Sequence, residues 1–133
     1  MNGTIELTPF DCWGLVEREG VVARVVWSEP DGPAIAPVNY VVADGAVWFQ
    51  TSAGSRLAQH CDDRAVLVEV DSVDTDARQG WSVIVTGTAR QVEAGQVPEL
   101  LGRLDIWPPG PHPVFVRVEA ETITGRRVRG LGS

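Results

Sequence analysis

Short runs of β-branched residues, each cut off by residues that turn the chain, limit this sequence to one broad class of fold. Val21–Trp27, Ala34–Val42, Val47–Phe49, Ala65–Val70, Trp81–Val92 and Val114–Thr124 are all rich in side chains that suit a pleated strand. Between the early runs stand Glu29-Pro30-Asp31-Gly32 and Asp44-Gly45, both turn sequences, the second a strong hairpin signal. The first three runs therefore form a meander. Pro37 interrupts the second run; it has no N–H to give a ladder, so it marks an edge or a bulge. Along the last run Val114, Val116, Val118 and Ala120 alternate with Phe115, Arg117, Glu119 and Glu121. One face of that strand is dry and the other wet or paired.

Helices are few. Thr8 is a good N-cap, Pro9 suits the first helical position and Asp11 can reach back in the manner of a capping box, so a helix is expected up to Glu19, ending at Gly20. Arg56–Cys61 reads as a short helix broken by Asp62-Asp63. Ala94–Leu104 carries Val97, Leu100, Leu101 and Leu104 at helical spacing, and Pro108–Pro111 follows as a rigid connector. Asp71–Gly80 is polar without an apolar pattern and is expected to be a loop. The result is a mainly β chain, a single domain over residues 1–133. Its six strands are joined by hairpins into a small, closed or partly closed antiparallel barrel.

Composition narrows the chemistry. The 133 residues carry 18 acidic and 11 basic side chains, a formal charge of −7, which argues against a general nucleic-acid binder. All of the basic residues are arginine. Without lysine there is no Schiff-base chemistry and no Walker-type phosphate loop. Cys12 and Cys61 are far apart, each within an expected helix, and read as buried free thiols. His60 and His112 have no metal-ligand spacing around them, and Asp71, Asp74 and Asp76 lack the glycine and terminal glutamate of a calcium loop. No apolar run is long enough to span a membrane, and Met1–Glu6 lacks a signal-peptide pattern, so a soluble, cytoplasmic protein with no membrane partner is expected.

Three stretches combine side chains that can hold a ligand. Phe49-Gln50-Thr51-Ser52-Ala53-Gly54-Ser55-Arg56-Leu57 places hydroxyls, a glycine and an arginine where a strand passes into a helix. Such a set suits a phosphate dianion; it equally suits a plain helix cap with Arg56 in water. In Pro37-Val38-Asn39-Tyr40 an asparagine sits within an apolar strand. Its amide can meet the imide edge of a planar heterocycle, or bond to bulged backbone beside Pro37. Gly80-Trp81-Ser82-Val83 offers a stacking surface and a hydroxyl, or simply a core tryptophan.

In chain order, these stretches resemble the pyridoxamine 5′-phosphate oxidase-like family of flavin-binding split barrels, and most closely its short bacterial members. The resemblance runs from Leu7 to Val128. It rests on the helix with Cys12, Val22-Ala23-Arg24-Val25, Pro37–Val42 with Asp44-Gly45, and Phe49-Gln50-Thr51 leading to Gly54-Ser55-Arg56-Leu57. It continues through Gly80–Val83 with Gly87-Thr88-Ala89, Trp107 in its proline-rich turn, and Ile123–Val128. It implies a six-stranded antiparallel split β-barrel homodimer with two FMN molecules in the subunit interface, and an FMN-dependent oxidoreductase acting on a small molecule. Pro37, Val38, Asn39 and Tyr40 would line the flavin ring. Thr51, Ser52, Ser55 and Arg56 would surround the ribityl phosphate, with Phe49 and Leu57 also among the cofactor-binding residues. Trp81 and Ser82 of the partner subunit would close over the flavin. Two departures stand out: Ala23 where glycine is common, and Arg56 where lysine is frequent. The C-terminal Gly125-Arg126-Arg127 lacks the basic pattern that pyridoxamine-phosphate oxidases use for substrate phosphate, which puts vitamin B6 oxidation in doubt. Tyr40, His60 and Arg126 are candidates for proton transfer, none of them singled out. The alternatives are a flavin or deazaflavin carrier or sensor without turnover, and a cofactor-free interaction module on the same fold.

Overall fold

The structure, a computed structural model, describes residues 3–102 and 112–130. In chain order its elements are β1 (Gly3–Glu6), α1 (Pro9–Arg18), β2 (Val22–Glu29), β3 (Gly32–Ala43), β4 (Ala46–Ser52), α2 (Arg56–Cys61), β5 (Arg64–Asp74), β6 (Gln79–Val92), α3 (Glu99–Gly102) and β7 (Pro113–Arg129), with one 3₁₀ turn at Ala94–Gln96. Between β3 and β4, Asp44 and Gly45 take φ of 55° and 70°. That is the mirror-image turn whose twist matches a hairpin, and the reason the pair is Asp-Gly.

The strands run in the order β1-β7-β4-β3-β2-β5-β6, and β7 also pairs with β6. Strands β2 to β7 therefore close into an antiparallel ring, the six-stranded barrel expected from the sequence. A seventh strand, β1, was not expected. It pairs Gly3 with Arg129 through to Glu6 with Arg126, on a part of β7 that β4 does not reach. Its four residues are all exposed, so no apolar alternation announces them; the open edge of β7 makes the strand.

Asp71–Gly80 is also corrected. The β5–β6 ladder continues from Asp71↔Ser82 to Asp74↔Gln79, so only a tight turn separates the two strands. Residues 72–79 are exposed, and a ladder with no buried face needs no apolar pattern. The expected helix over Ala94–Leu104 is broken. Val97 stands extended (φ −84°, ψ 134°) before Pro98, which disfavours α geometry in the residue preceding it. Its end at Leu104, the Pro108–Pro111 connector and Trp107 lie outside the described residues.

The core fills the ring. Val25, Phe49, Val68, Val83, Val85, Val116 and Val118 are fully buried, and Cys12, Leu15 and Val16 of α1 and Leu57 and Cys61 of α2 join the same cluster. The dry face expected for the last strand is present in Val116 and Val118, with Val114 half-buried. Thr8 caps α1 through its side chain, accepting from the Asp11 N–H, as expected. A second, smaller cluster of Val41, Ala46, Trp48 and Leu101 covers the outside of the β3–β4 hairpin.

Candidate functional site

The barrel is split between β3 and β4. These strands pair only from Ala43↔Ala46 to Tyr40↔Phe49. Beyond that point β3 pairs with β2 alone, Asn39 opposite Val22 and Pro37 opposite Arg24, while β4 keeps its pairing with β7 through Gln50, Thr51 and Ser52. Pro37 thus sits where β3 has one partner strand, the edge position its missing N–H requires. The two sequence stretches richest in ligand-type side chains form the two lips of this split.

On the β4 lip, Thr51 Oγ1 and Ser55 Oγ are 2.9 Å apart in a hydrogen bond. Ser55 caps α2, its Oγ accepting from the Ala58 N–H at 3.0 Å. Whichever hydroxyl donates to the other, the pair keeps one proton that can be given outward. Ser52 is half-buried beside them, whereas Phe49 and Leu57 point into the core, so only their backbone faces outward.

Arg56 is not free in water. Its Nε donates to Glu29 Oε2 at 3.2 Å and its Nη2 to Glu29 Oε1. Glu29 Oε2 also accepts from Trp27 Nε1 at 2.8 Å, and His60 Nε2 lies 4.0 Å from Oε1. The Glu29 side chain is 5% exposed and that of Arg56 72%. Hydrogen bonding from Arg56 is the main cause holding the Glu29 carboxyl below its ordinary range, against the desolvation that opposes it. Sequence reading missed Glu29, which stood only as part of a turn; no local signal links it to Arg56.

On the β3 lip, Pro37 is exposed, while Val38, Asn39 and Tyr40 are buried. The Tyr40 hydroxyl donates to the Val16 carbonyl oxygen, and burial pushes the phenol well above its ordinary value. A hydroxyl bound in this way is a structural tie between β3 and α1 rather than a proton donor to a ligand. Val22, Pro37, Val38 and Asn39 line a small hollow of about 70 Å³.

Trp81 and Ser82 stand on β6, across the ring from the split, so one chain does not bring them to it. The indole of Trp81 belongs to the core, and Ser82 faces outward, opposite Arg126 on β7. Both residues line an outer groove of about 460 Å³ together with Arg126 and Val128. Ser82 and Arg126 also border a neighbouring hollow of about 530 Å³ beside β1. Among the described residues no cluster of His, Cys, Asp and Glu has the arrangement of a metal site. No helix among them is long and apolar enough to cross a membrane.

The model of the pyridoxamine 5′-phosphate oxidase family matches residues 9–127, nearly the whole chain. The chain belongs to that family. The uncharacterized protein Rv0080 of Mycobacterium tuberculosis is 36% identical over 111 residues, 79% of this chain and 73% of that protein. The FAD binding protein of Mycobacterium smegmatis shares the fold with a TM-score of 0.78 at 34% identity, over 94% of this chain and 98% of its own. An FAD-binding protein of Mesorhizobium loti, 20% identical, matches with a TM-score of 0.75 over 93% of this chain and 97% of its own, a likeness of fold. The split barrel expected from the sequence is therefore the fold of this pyridoxamine 5′-phosphate oxidase family member.

Proposed function

We propose that the protein is a flavin-nucleotide-dependent oxidoreductase that works on a small molecule as a homodimer in the cytoplasm. The observation that carries this reading is the split between β3 and β4, in a family member whose M. smegmatis relative is an FAD binding protein. The residues present suit a flavin phosphate. The Thr51–Ser55 pair offers a hydroxyl proton, and Arg56, next in the chain, has an exposed side chain with guanidinium donors that Glu29 does not use. FMN, which the resemblance implies, and FAD share this phosphate. A bound flavin would supply hydride and electron transfer, while the chain supplies binding and orientation. The β3 lip, with Pro37 exposed and Val38 and Asn39 behind it, would bound the ring. Trp81 and Ser82 stand too far around the barrel to reach a flavin held by their own chain, which fits their arrival from a partner subunit. With the Tyr40 hydroxyl engaged by Val16 and His60 facing Glu29, neither is placed to act on a substrate.

The visible spectrum of the freshly purified protein, followed by titration of apo-protein with FMN, FAD and riboflavin, tests this. A flavin spectrum is expected, with reduction of the bound flavin by a nicotinamide nucleotide. Arg56→Ala should weaken FMN by about 10- to 150-fold, the range set by charged hydrogen bonds, and leave riboflavin nearly unchanged. A colourless protein that binds none of the three removes the reading. A flavin that binds but is not reduced turns it toward a carrier or sensor. Equal weakening of FMN and riboflavin in Arg56→Ala shows that Arg56 holds the fold rather than the phosphate.

A further inference from the structure

The structure holds a carboxylate where a phosphate-binding arginine should be most electropositive. We propose that Glu29 makes this site demand arginine: it fastens the Nε–Nη2 edge of Arg56 and leaves the two Nη1 hydrogens and the second Nη2 hydrogen for a phosphate. The inference rests on reading Arg56 as the phosphate ligand.

The geometry carries the argument. Glu29 cannot easily follow Arg56 elsewhere, because its side chain is buried and a second donor, Trp27 Nε1, holds Oε2 at 2.8 Å. Nor can Arg56 abandon Glu29 at little cost, since a buried carboxylate would lose its main cation, with His60 at 4.0 Å the other basic group near it among the described residues. Arg56 must therefore serve two anions at once. A guanidinium can do so, because its five N–H donors spread around a plane. Two of them bond Glu29 here, and the remaining three are not used by it, on a side chain that is 72% exposed. Carboxylate and phosphate then sit on different edges of one rigid group, well separated. A lysine ammonium has its donors on a single nitrogen. Glu29 and a phosphate gathered around that atom would be brought close, where their repulsion is greatest. An exchange of arginine for lysine, conservative in charge, is therefore not conservative at this position while Glu29 is ionised.

The test compares Kd values for FMN and riboflavin across the full-length parent, Arg56→Ala, Arg56→Lys and the double variant Glu29→Gln/Arg56→Lys, with a thermal melt of each as a folding control. Arg56→Lys should raise the FMN Kd by about tenfold or more, with riboflavin within about twofold of the parent. The double variant, in which the carboxylate charge is gone, should recover FMN binding to within about threefold of the parent. Two results overturn the proposal alone: Arg56→Lys binding FMN as the parent does, or the double variant binding it no better than Arg56→Lys. If Arg56→Ala fails to separate FMN from riboflavin, the phosphate is not at Arg56, and the proposal falls together with the reading beneath it.

Discussion

Val116 is fully buried on β7, with Phe49 of β4 and Gln91 of β6 opposite it in register. It is packed within the hydrophobic core cluster, so a carboxylate there would be buried among apolar side chains. Val116→Asp should destabilise the fold by about 3–5 kcal/mol, read as a loss of denaturation midpoint in urea. A midpoint unchanged from the parent would mean that β7 has the opposite face inward. Glu29 sets a pH dependence of its own. Its carboxyl is held below the ordinary 4.5, chiefly by Arg56, so its contribution to stability is complete above that value. The contribution is lost as pH falls through the lower, folded value. Glu69 opposes it: burial and Asp71 raise its carboxyl despite Arg24, so its ionisation costs stability as pH rises. Melting curves from about pH 5 down to about pH 3 should show the parent losing stability more steeply than Glu29→Gln, whose side chain does not titrate. Parallel curves would deny the Arg56–Glu29 pair a role in stability.

Gly87 shows how a whole element depends on one missing side chain. The β6–β7 register shifts between Thr86 and Gly87, so that Thr86 faces Thr122 while Gly87 faces Ala120 and Glu121 is left over. This bulge bends the longest ladder of the barrel so that the ring can close. A methyl on Gly87 would overlap the Glu119 carbonyl oxygen. Gly87→Ala should cost about 1–3 kcal/mol through forced backbone movement, measurable by calorimetry. No loss of stability would mean that the ladder accommodates the methyl without strain. Gly87 was legible in the sequence as part of Gly87-Thr88-Ala89, but its physical duty was not, because the atom it must avoid lies on another strand. The same holds for the two ends of β5 and β6 and for β1: their residues carry no burial signal, and backbone pairing alone makes them strands. The third helix failed for a local reason that the sequence did contain, since Pro98 lies inside the apolar spacing that suggested it.

At the scale of the molecule, the outer faces of β5, β6 and β7 leave Val73, Ile84 and Val128 exposed, and Phe10 at the start of α1 is 83% exposed. Trp27, Trp48 and Trp81 are buried within their own chain. Among the described residues the large exposed apolar side chains are thus aliphatic apart from Phe10. Val73 and Val128 line the groove that contains Trp81, Ser82 and Arg126. Light scattering should show twice the 14.4 kDa chain mass at micromolar concentration, with about 1,600–2,000 Å² buried between subunits. A 14.4 kDa species would end the dimer and with it the closure of the split by a partner's Trp81 and Ser82. Flavin binding by such a monomer would then have to use one chain alone.

The sequence by itself determined the class and most of the barrel. Strand identity follows from local β-branched content and hairpin position from Asp44-Gly45, and both act between near neighbours. It also made Thr51, Ser55 and Arg56 visible as a candidate site, because they stand together along the chain. Only the tertiary structure decided what those residues face. The split between β3 and β4 exists because β3 exchanges β4 for β2 beyond Tyr40, while β4 stays on β7. The pairing of Arg56 with Glu29 exists because the β2–β3 turn folds back to the start of α2. The tie of the Tyr40 hydroxyl to α1 arises in the same way. These are contacts between residues distant in sequence, set by the closure of the ring, and no local preference encodes them.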